Sequence, residues 1–424
     1  MERTDERYDA YVQILHQELK PAMGCTEPIA VAYACAVARD TLGALPERVE
    51  LQVSGNIIKN VKSVVVPNTG GRRGLEVAAA VGTVAADAKA QLQCIAHVTE
   101  QDMERVEEYR SQGRVTITPL ETTHPFDILV EVSAGADSAR VRMVDQHTNL
   151  VHVSRNGTVL HQAQVVEEVQ ENPLQQLLSV QGILDFADSV DLEDVRKPLE
   201  QQVKLNWAIS QEGLEGSYGA MIGKELMAQA GDDWKARLRA RAAAGSDARM
   251  SGCELPVVII SGSGNQGLTA SLPVVEYAAI QGIPEERMYR ALVVSNLLTV
   301  HQKTNLGRLS AFCGAVNAAC AAAAAIAYLD GMGMDGVAHT LVNSLAVVSG
   351  MVCDGAKASC AAKISLALEA GLMGYEMYKA GHEFYDGDGI VKKGVENTLN
   401  MVARLGRLGM RETDREILRI MTGQ

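Results

Sequence analysis

Helical and strand-like spacings divide the chain into three stretches. In the first, residues 8–19 repeat their apolar positions with amphipathic helical spacing, and residues 29–42 form a helix of small side chains that Gly43 ends. The second opens with Val49, Leu51 and Val53, which alternate as in a strand; a further extended run follows at 62–66. SGNIIKN and PNTGGRRG read as polar loops after these two runs. Residues 75–90 and 98–112 return to helical periodicity. From Val115 the pattern is β again, with 128–132, 141–144 and 150–153 leading into Asn156-Gly157, a type I′ hairpin signal with 158–160 beyond it. These runs predict a small antiparallel sheet. The third stretch, from residue 167, is helical, apart from a charged, weakly periodic segment near 232–245 that reads as a junction and a short extended run at 255–260. Beyond Leu268 nearly everything is helix punctuated by glycine. The pattern predicts an α+β protein. A helical domain is built from residues 1–45 and 166–424, and a smaller α/β lobe from residues 46–165.

Composition narrows the class. The 424 residues exceed the usual domain length of about 100 to 200, and 47% apolar with 21% charged residues supports a sizeable core and a soluble surface. A formal charge of −13, with no basic run interleaved with aromatic platforms, argues against nucleic acid as a partner. Aromatics are only 4%, whereas Gly (38) and Ala are plentiful, which suits closely packed helices and is compatible with a homodimer. The first residues, MERTDERYDAYVQIL, carry charges where a secretory signal needs an apolar stretch, so the expectation is a cytoplasmic protein. Residues 311–329 and 336–353 lack charges and approach the roughly 20 residues that cross a bilayer. Alanine gives little transfer energy, and neither segment has aromatic belts or a basic flank, so they read as a buried helical hairpin and not as a membrane pair.

Three features could carry chemistry. GSGNQG at 262–267 fits a dinucleotide fingerprint, but Pro273 interrupts the helix that should follow, and residues 291–300 read as helix in place of a second parallel strand. That argues against NAD. Ser263, Asn265, Gln266 and the turn's backbone amides remain available to a small carboxylate, or the turn is structural. Cys313, Cys320, Cys353 and Cys360 form no Cys-x-x-Cys pair. Seven residues of unbroken helix rise about 10 Å, too far for Cys353 and Cys360 to serve one cluster, but Asp354-Gly355 can break the helix and fold the second thiol back. A shared metal site is thus permitted, beside the alternative of small buried core cysteines. Cys25 lies in GCTEP, where Thr26 as N-cap and Pro28 in the first turn would set the thiol at the positive end of a helix and lower its pKa. That suits a nucleophile, a base or a ligand. Cys35, Cys94 and Cys253 read as structural. Polar clusters at Ser54-Gly55-Asn56 with Lys59-Asn60, Asn68-Thr69-Gly70, His147-Thr148-Asn149 with His152, and Ser246-Asp247-Ala248-Arg249 lie at strand ends or in loops, where substrate contacts and plain solvated turns both occur.

PAMGCTEPIA, SGNIIKN, VPNTGG, HTNLVH, ISQEGL, SDARM, SGSGNQGLTA, RLSAFCGA and CDGAKASCAAK follow one another over nearly the whole chain. Together they resemble the L-cysteine desulfidase family, related to the iron–sulfur L-serine dehydratase alpha chain. The resemblance implies an oxygen-labile [4Fe-4S] enzyme that converts L-cysteine to pyruvate, sulfide and ammonia without pyridoxal phosphate. It places the cluster thiols on Cys313, Cys353 and Cys360, leaves Cys320 in the core, and puts the GCTEP cysteine on Cys25. Around the substrate it sets the SGSGNQG turn (Ser263, Asn265, Gln266) and the polar loops bearing Ser54, Asn56, Asn60, Asn68, Thr69 and Asn149. Three thiolates would leave one iron open as a Lewis acid, and Cys25 would be the first choice of base for the α-proton, with His147 or Lys59 in reserve. L-Serine dehydration is the nearest rival, because an open iron activates a hydroxyl as it does a thiol. A non-catalytic iron–sulfur or redox-sensing protein is the rival from another class.

Overall fold

The structure, a computed structural model, describes residues 1–165, 172–304, 306 and 310–423. The domain boundary expected at residue 166, the helical onset at 167 and Arg308-Leu309 of RLSAFCGA lie outside them. The described chain opens with α1 (Glu6–Glu18), which Asp5 caps by accepting the Arg7 amide, and which buries Tyr8 and Tyr11 edge-on against Phe186. Residues 20–23 (KPAM), unassigned in the sequence, form the strand β1 (Lys20–Met23). After it come α2 (Thr26–Leu42), β2 (Arg48–Val53), α3 (Gly55–Val61), α4 (Leu75–Val84) and α5 (Glu100–Ser111), the last begun by a reciprocal capping box between Thr99 and Asp102.

SGNIIKN is therefore helix α3 and not a loop. Its apolar residues Ile57, Ile58 and Val61 share a buried side, but seven residues are too few to show a helical period. The extended run expected at 62–66 forms no strand and contributes only the isolated Val65–Arg73 bridge.

Strands β3 (Val115–Pro119), β4 (Asp127–Ala134), β5 (Asp137–Val144), β6 (Leu150–Arg155) and β7 (Thr158–Gln162) join β2 in a six-stranded sheet of order β3-β2-β4-β5-β6-β7. The sheet is mixed where an antiparallel one was expected: β2 and β3 run parallel, with Val49 opposite Val115. The long connection through α3, α4 and α5 supplies the crossover that a parallel pair needs. Asn156 and Gly157 both take positive φ (48° and 77°), as the type I′ turn between β6 and β7 requires. Val49, Leu51 and Val53 point into a core shared with α2 and α4. Those two helices touch at Gly82, where a Cβ would lie 2.3 Å from the Ala32 carbonyl oxygen.

The remaining elements are α6 (Val180–Ser189), α7 (Arg196–Glu215), α8 (Ile222–Ala230), α9 (Trp234–Met250), β8 (Pro256–Ile259), α10 (Gly264–Gln281), α11 (Glu285–Thr304), α12 (Gly314–Leu329), α13 (Gly333–Val348), α14 (Cys360–Lys379) and α15 (Val395–Arg404). A π turn (Leu405–Gly409) then leads into α16 (Arg411–Thr422). The segment read as a junction at 232–245 is instead the buried helix α9. Its buried Arg241 and half-exposed Arg237 both bond the buried Glu276 of α10, so charges that suggest solvent meet a carboxylate inside. The Ala-rich α12 lies at the centre, against α10, α11, α13 and α14. Small side chains let backbones close in: a Cβ on Gly371 of α14 would stand 2.9 Å from the Ala319 oxygen. α12 and α13 are the expected buried hairpin, and among the described residues no helix is long and apolar enough to cross a membrane. Helix α10 runs on through Pro273, contrary to the expected interruption. The topology still separates GSGNQG from a dinucleotide fold, because among the described residues β8 pairs only with β1, antiparallel, in a two-stranded ladder.

Candidate active site

One cavity of about 770 Å³ gathers residues from both halves of the chain. From the amino-terminal side comes Cys25, delivered by β1 through Gly24. The φ of +52° there, and a Cβ position 2.3 Å from Pro67 Cγ, leave glycine as the residue that fits. Cys25 itself, not Thr26, is the N-cap of α2. Its Sγ donates to Glu27 Oε2 at 3.0 Å, while Asn60 Nδ2 donates to Glu27 Oε1 at 3.2 Å. The expectation of a lowered thiol pKa is reversed. Burial pushes the Cys25 thiol well up, and the neighbouring Glu27 charge adds to it, with Arg249 opposing. At this helix start the loss of solvation outweighs the favourable charge of Arg249.

The ladder of β1 with β8 ties this corner to the start of α10. After β8 the chain turns sharply through Ser261 (φ 47°) and Gly262 (φ 77°), and Ser263 caps α10 by accepting the Gln266 amide. Gly264 leaves space for Arg249, whose Nε would lie 2.3 Å from a Cβ. Arg249 comes from the end of α9, is 3% exposed, and donates through Nη1 to Asn265 Oδ1 at 3.2 Å. Among the described residues its Nε and Gln266 Oε1 are buried without a hydrogen-bond partner, so both remain available to a ligand.

The α/β lobe contributes α3, on which Asn56, Lys59 and Asn60 face the cavity at helical spacing. Lys59 is 2% exposed and pairs with Asp414 of α16 at 2.5 Å. His147, from the turn after β5, packs edge-on to Phe126 at 4.7 Å and also lines the cavity.

The carboxy-terminal side brings the three thiols. An isolated Phe312–Val352 bridge aligns two loops, with the Cys313 amide donating to Met351 O at 3.0 Å and the Cys353 amide to Ala311 O at 2.6 Å. Gly355 (φ 93°) breaks the chain after Asp354, packed so closely that a Cβ would meet the Lys59 oxygen at 2.0 Å, and Cys360 then begins α14. Cys313, Cys353 and Cys360 all line the cavity and all are free thiols. Burial, then the nearby Cys353, pushes Cys313 up to about 12, and burial also raises Cys360. Cys320 lies in the core of α12, fully buried.

Four residues expected around the substrate do not line this cavity. Ser54 Oγ donates to Pro125 O at 2.6 Å from a side recess, and Asn68 Nδ2 donates to Ile95 O at 2.8 Å. Thr69 Oγ1 donates to Val66 O at 2.7 Å and Asn149 Nδ2 to Val144 O at 3.0 Å, each closing its own turn. Conversely, Glu27, Lys363, Asp414 and Arg249 line it and had not been singled out as site residues. Glu27 stood within GCTEP and Arg249 within a polar cluster, but α16 offered no signal, being an ordinary amphipathic helix in sequence.

No group of three or more His, Cys, Asp or Glu side chains among the described residues converges tightly enough to hold a single metal ion. Cys313, Cys353 and Cys360 nevertheless line the same cavity. An iron–sulfur cluster takes one thiolate per iron across several atoms, and its usual protein donors are cysteines.

The described sequence resembles known proteins along its length. Residues 89–419 match the family model for the serine dehydratase alpha chain. A UPF0597 protein of Desulfitobacterium hafniense is 52% identical over 425 residues, covering 100% of this chain and 99% of the relative. Relatives with the same designation from Lachnoclostridium phytofermentans (45%, over 98% of this chain and 99% of the relative) and Treponema denticola (43%, over 98% of each) extend the match. The chain belongs to the serine dehydratase alpha chain family.

Proposed function

We propose that the cavity is the active site of an iron–sulfur lyase that eliminates the β-substituent of a small α-amino acid, converting L-cysteine to pyruvate, hydrogen sulfide and ammonia. What carries this reading is the meeting of Cys313, Cys353 and Cys360 with Cys25 on one cavity that a buried arginine and a helix start also line. The three thiols would hold a [4Fe-4S] cluster; when bound, it supplies a Lewis-acidic iron with an open position, which makes the β-substituent a better leaving group.

The chain's own groups do the rest. Arg249, with the amides that begin α10, holds the substrate carboxylate, and Asn265 fixes the guanidinium for that contact. In the resting structure the Cys25 thiol keeps its own proton, donated to Glu27 Oε2; once that proton has left to water, Cys25 Sγ as the thiolate receives the α-proton. Burial makes its thiolate a strong base once formed, and Arg249 is the cation that favours that form. The aminoacrylate released then tautomerises and hydrolyses in water to pyruvate and ammonia. His147 and Lys59 line the same cavity, but Lys59 is engaged with Asp414.

The family match favours a second reading, L-serine dehydration, in which the same arrangement expels water. Anaerobically purified protein incubated with each amino acid decides between them. Sulfide and pyruvate from L-cysteine support the first reading, and pyruvate from L-serine alone moves the assignment to the second. Bound iron and acid-labile sulfide with no product from either would make the protein a non-catalytic iron–sulfur or redox-sensing one.

A further inference from the structure

Of the carboxylates that line the cavity, Asp145 contacts His124 at 3.0 Å and Asp414 is paired with Lys59. The third, Glu27, is 8% exposed and has no ion-pair partner among the described residues. It is held by neutral donors only: Cys25 Sγ at 3.0 Å and Thr26 Oγ1 at 3.2 Å on Oε2, and Asn60 Nδ2 at 3.2 Å on Oε1. An ionised carboxylate offers about four acceptor positions, so three donors leave one on Oε1 open. A buried charge without a counter-ion opposes folding unless something cationic completes it. The cations that line the cavity include Arg249, Lys59 and Lys363, of which Lys59 is already paired with Asp414, so the open acceptor position on Glu27 is a place where further positive charge is welcome.

We propose that Glu27 is the specificity-determining residue that receives the substrate's α-ammonium group. With Arg249 on the carboxylate, a zwitterion is then gripped at both charged ends beside Cys25. The site selects α-amino acids over the α-hydroxy acids of the same size, which bring a neutral hydroxyl to a charge that needs a cation. This rests on the lyase reading for the identity of the ligand but not for its test.

L-Alanine and L-lactate differ only in ammonium against hydroxyl, and neither carries a β-substituent to eliminate. Their affinities for the anaerobically purified holoenzyme, by titration calorimetry, therefore read recognition without chemistry. L-Alanine is expected to bind at least about tenfold more tightly than L-lactate, and in Glu27→Gln that ratio falls to about one, chiefly through loss of L-alanine binding. A wild-type ratio near one overturns the proposal, as does a ratio that Glu27→Gln leaves unchanged. Should Glu27→Gln fail to fold, Glu27→Asp, which withdraws the charge by one methylene, is expected to lower the ratio partway, and an unchanged ratio there is equally decisive against it. Absence of lyase activity with the ratio intact would remove the catalytic reading and leave the ammonium site standing.

Discussion

The ion pair between Lys59 and Asp414 gives the sharpest mechanical test of the cavity's outer wall. Helix α16 buries none of its residues, yet it lines the cavity through Arg411, Asp414 and Arg415. It is fastened to α3 by Leu418 against Gly55, by a contact of Lys62 Nζ with Met421 O, and by the pair itself at 2.5 Å. Asp414→Asn is nearly isosteric and leaves Lys59, 2% exposed, without its anion. Removing one member of a fully buried pair costs about 3–5 kcal/mol, whereas an exposed pair contributes about 0–1 kcal/mol. With the lysine buried and the aspartate 28% exposed, about 2 kcal/mol is the appropriate figure after allowance for screening. Because α16 has little else to hold it, the loss should appear as local opening, shifting that equilibrium by about thirtyfold. Hydrogen exchange followed by mass spectrometry on peptides covering 411–422 should show that acceleration, with protection in β4 and β5 unchanged. The double variant with Lys59→Met should recover part of the loss, since no unpaired charge remains. Unchanged exchange at 411–422 in Asp414→Asn, or uniform acceleration throughout the molecule, refutes the reasoning.

Further outcomes follow from other parts of the structure. Cys353→Ser, purified without oxygen, should lose most iron, acid-labile sulfide and product formation, whereas Cys320→Ala should retain them; equal metal content in the two variants contradicts the ligand set. Asp247 is fully buried, and burial raises its carboxyl from 3.8 to about 6, so between those values the folded state holds a proton that the unfolded state lacks, and stability falls as pH rises through that window. At pH 7.5 the ionised group opposes folding by about 3 kcal/mol, and Asp247→Asn, which keeps an acceptor for the Gly223 amide, should raise Tm there with a gain that shrinks toward pH 4.5. A pH-independent gain would count against it. Gly267→Ala would set a Cβ 1.9 Å from the Val258 carbonyl oxygen, where α10 crosses β8, and should cost more than about 2 kcal/mol in urea unfolding. A shift within about 0.5 kcal/mol would show that the crossing yields easily.

Much of the helical half was legible because its small-residue periodicity is strong and glycine marks its breaks. The Asn156-Gly157 hairpin was legible for a similar reason: two adjacent positive φ values have few sequence solutions. What escaped depends on partners distant in the chain. β1 exists because β8, more than 230 residues later, pairs with it, and four residues carry no period of their own. Helix α9 looked like a junction because its arginines meet Glu276, which no local window contains. The thiol at Cys25 shows the same limit in electrostatics. Its place at a helix start was readable, but the burial that decides the sign of its pKa shift is a property of the packed molecule. Recognition of the family supplied the grouping of Cys313, Cys353 and Cys360, and the spacing alone left it open.

The Phe312–Val352 bridge bears on how such a site recovers from damage. Two thiol-bearing loops are locked by main-chain bonds that depend on no cofactor, and the third thiol opens a helix anchored in the core. If these thiols hold an iron–sulfur cluster as proposed, a receptacle set by the backbone would let an oxidised or stripped centre be rebuilt in place by delivery of iron and sulfide, for as long as the thiols themselves stay reduced.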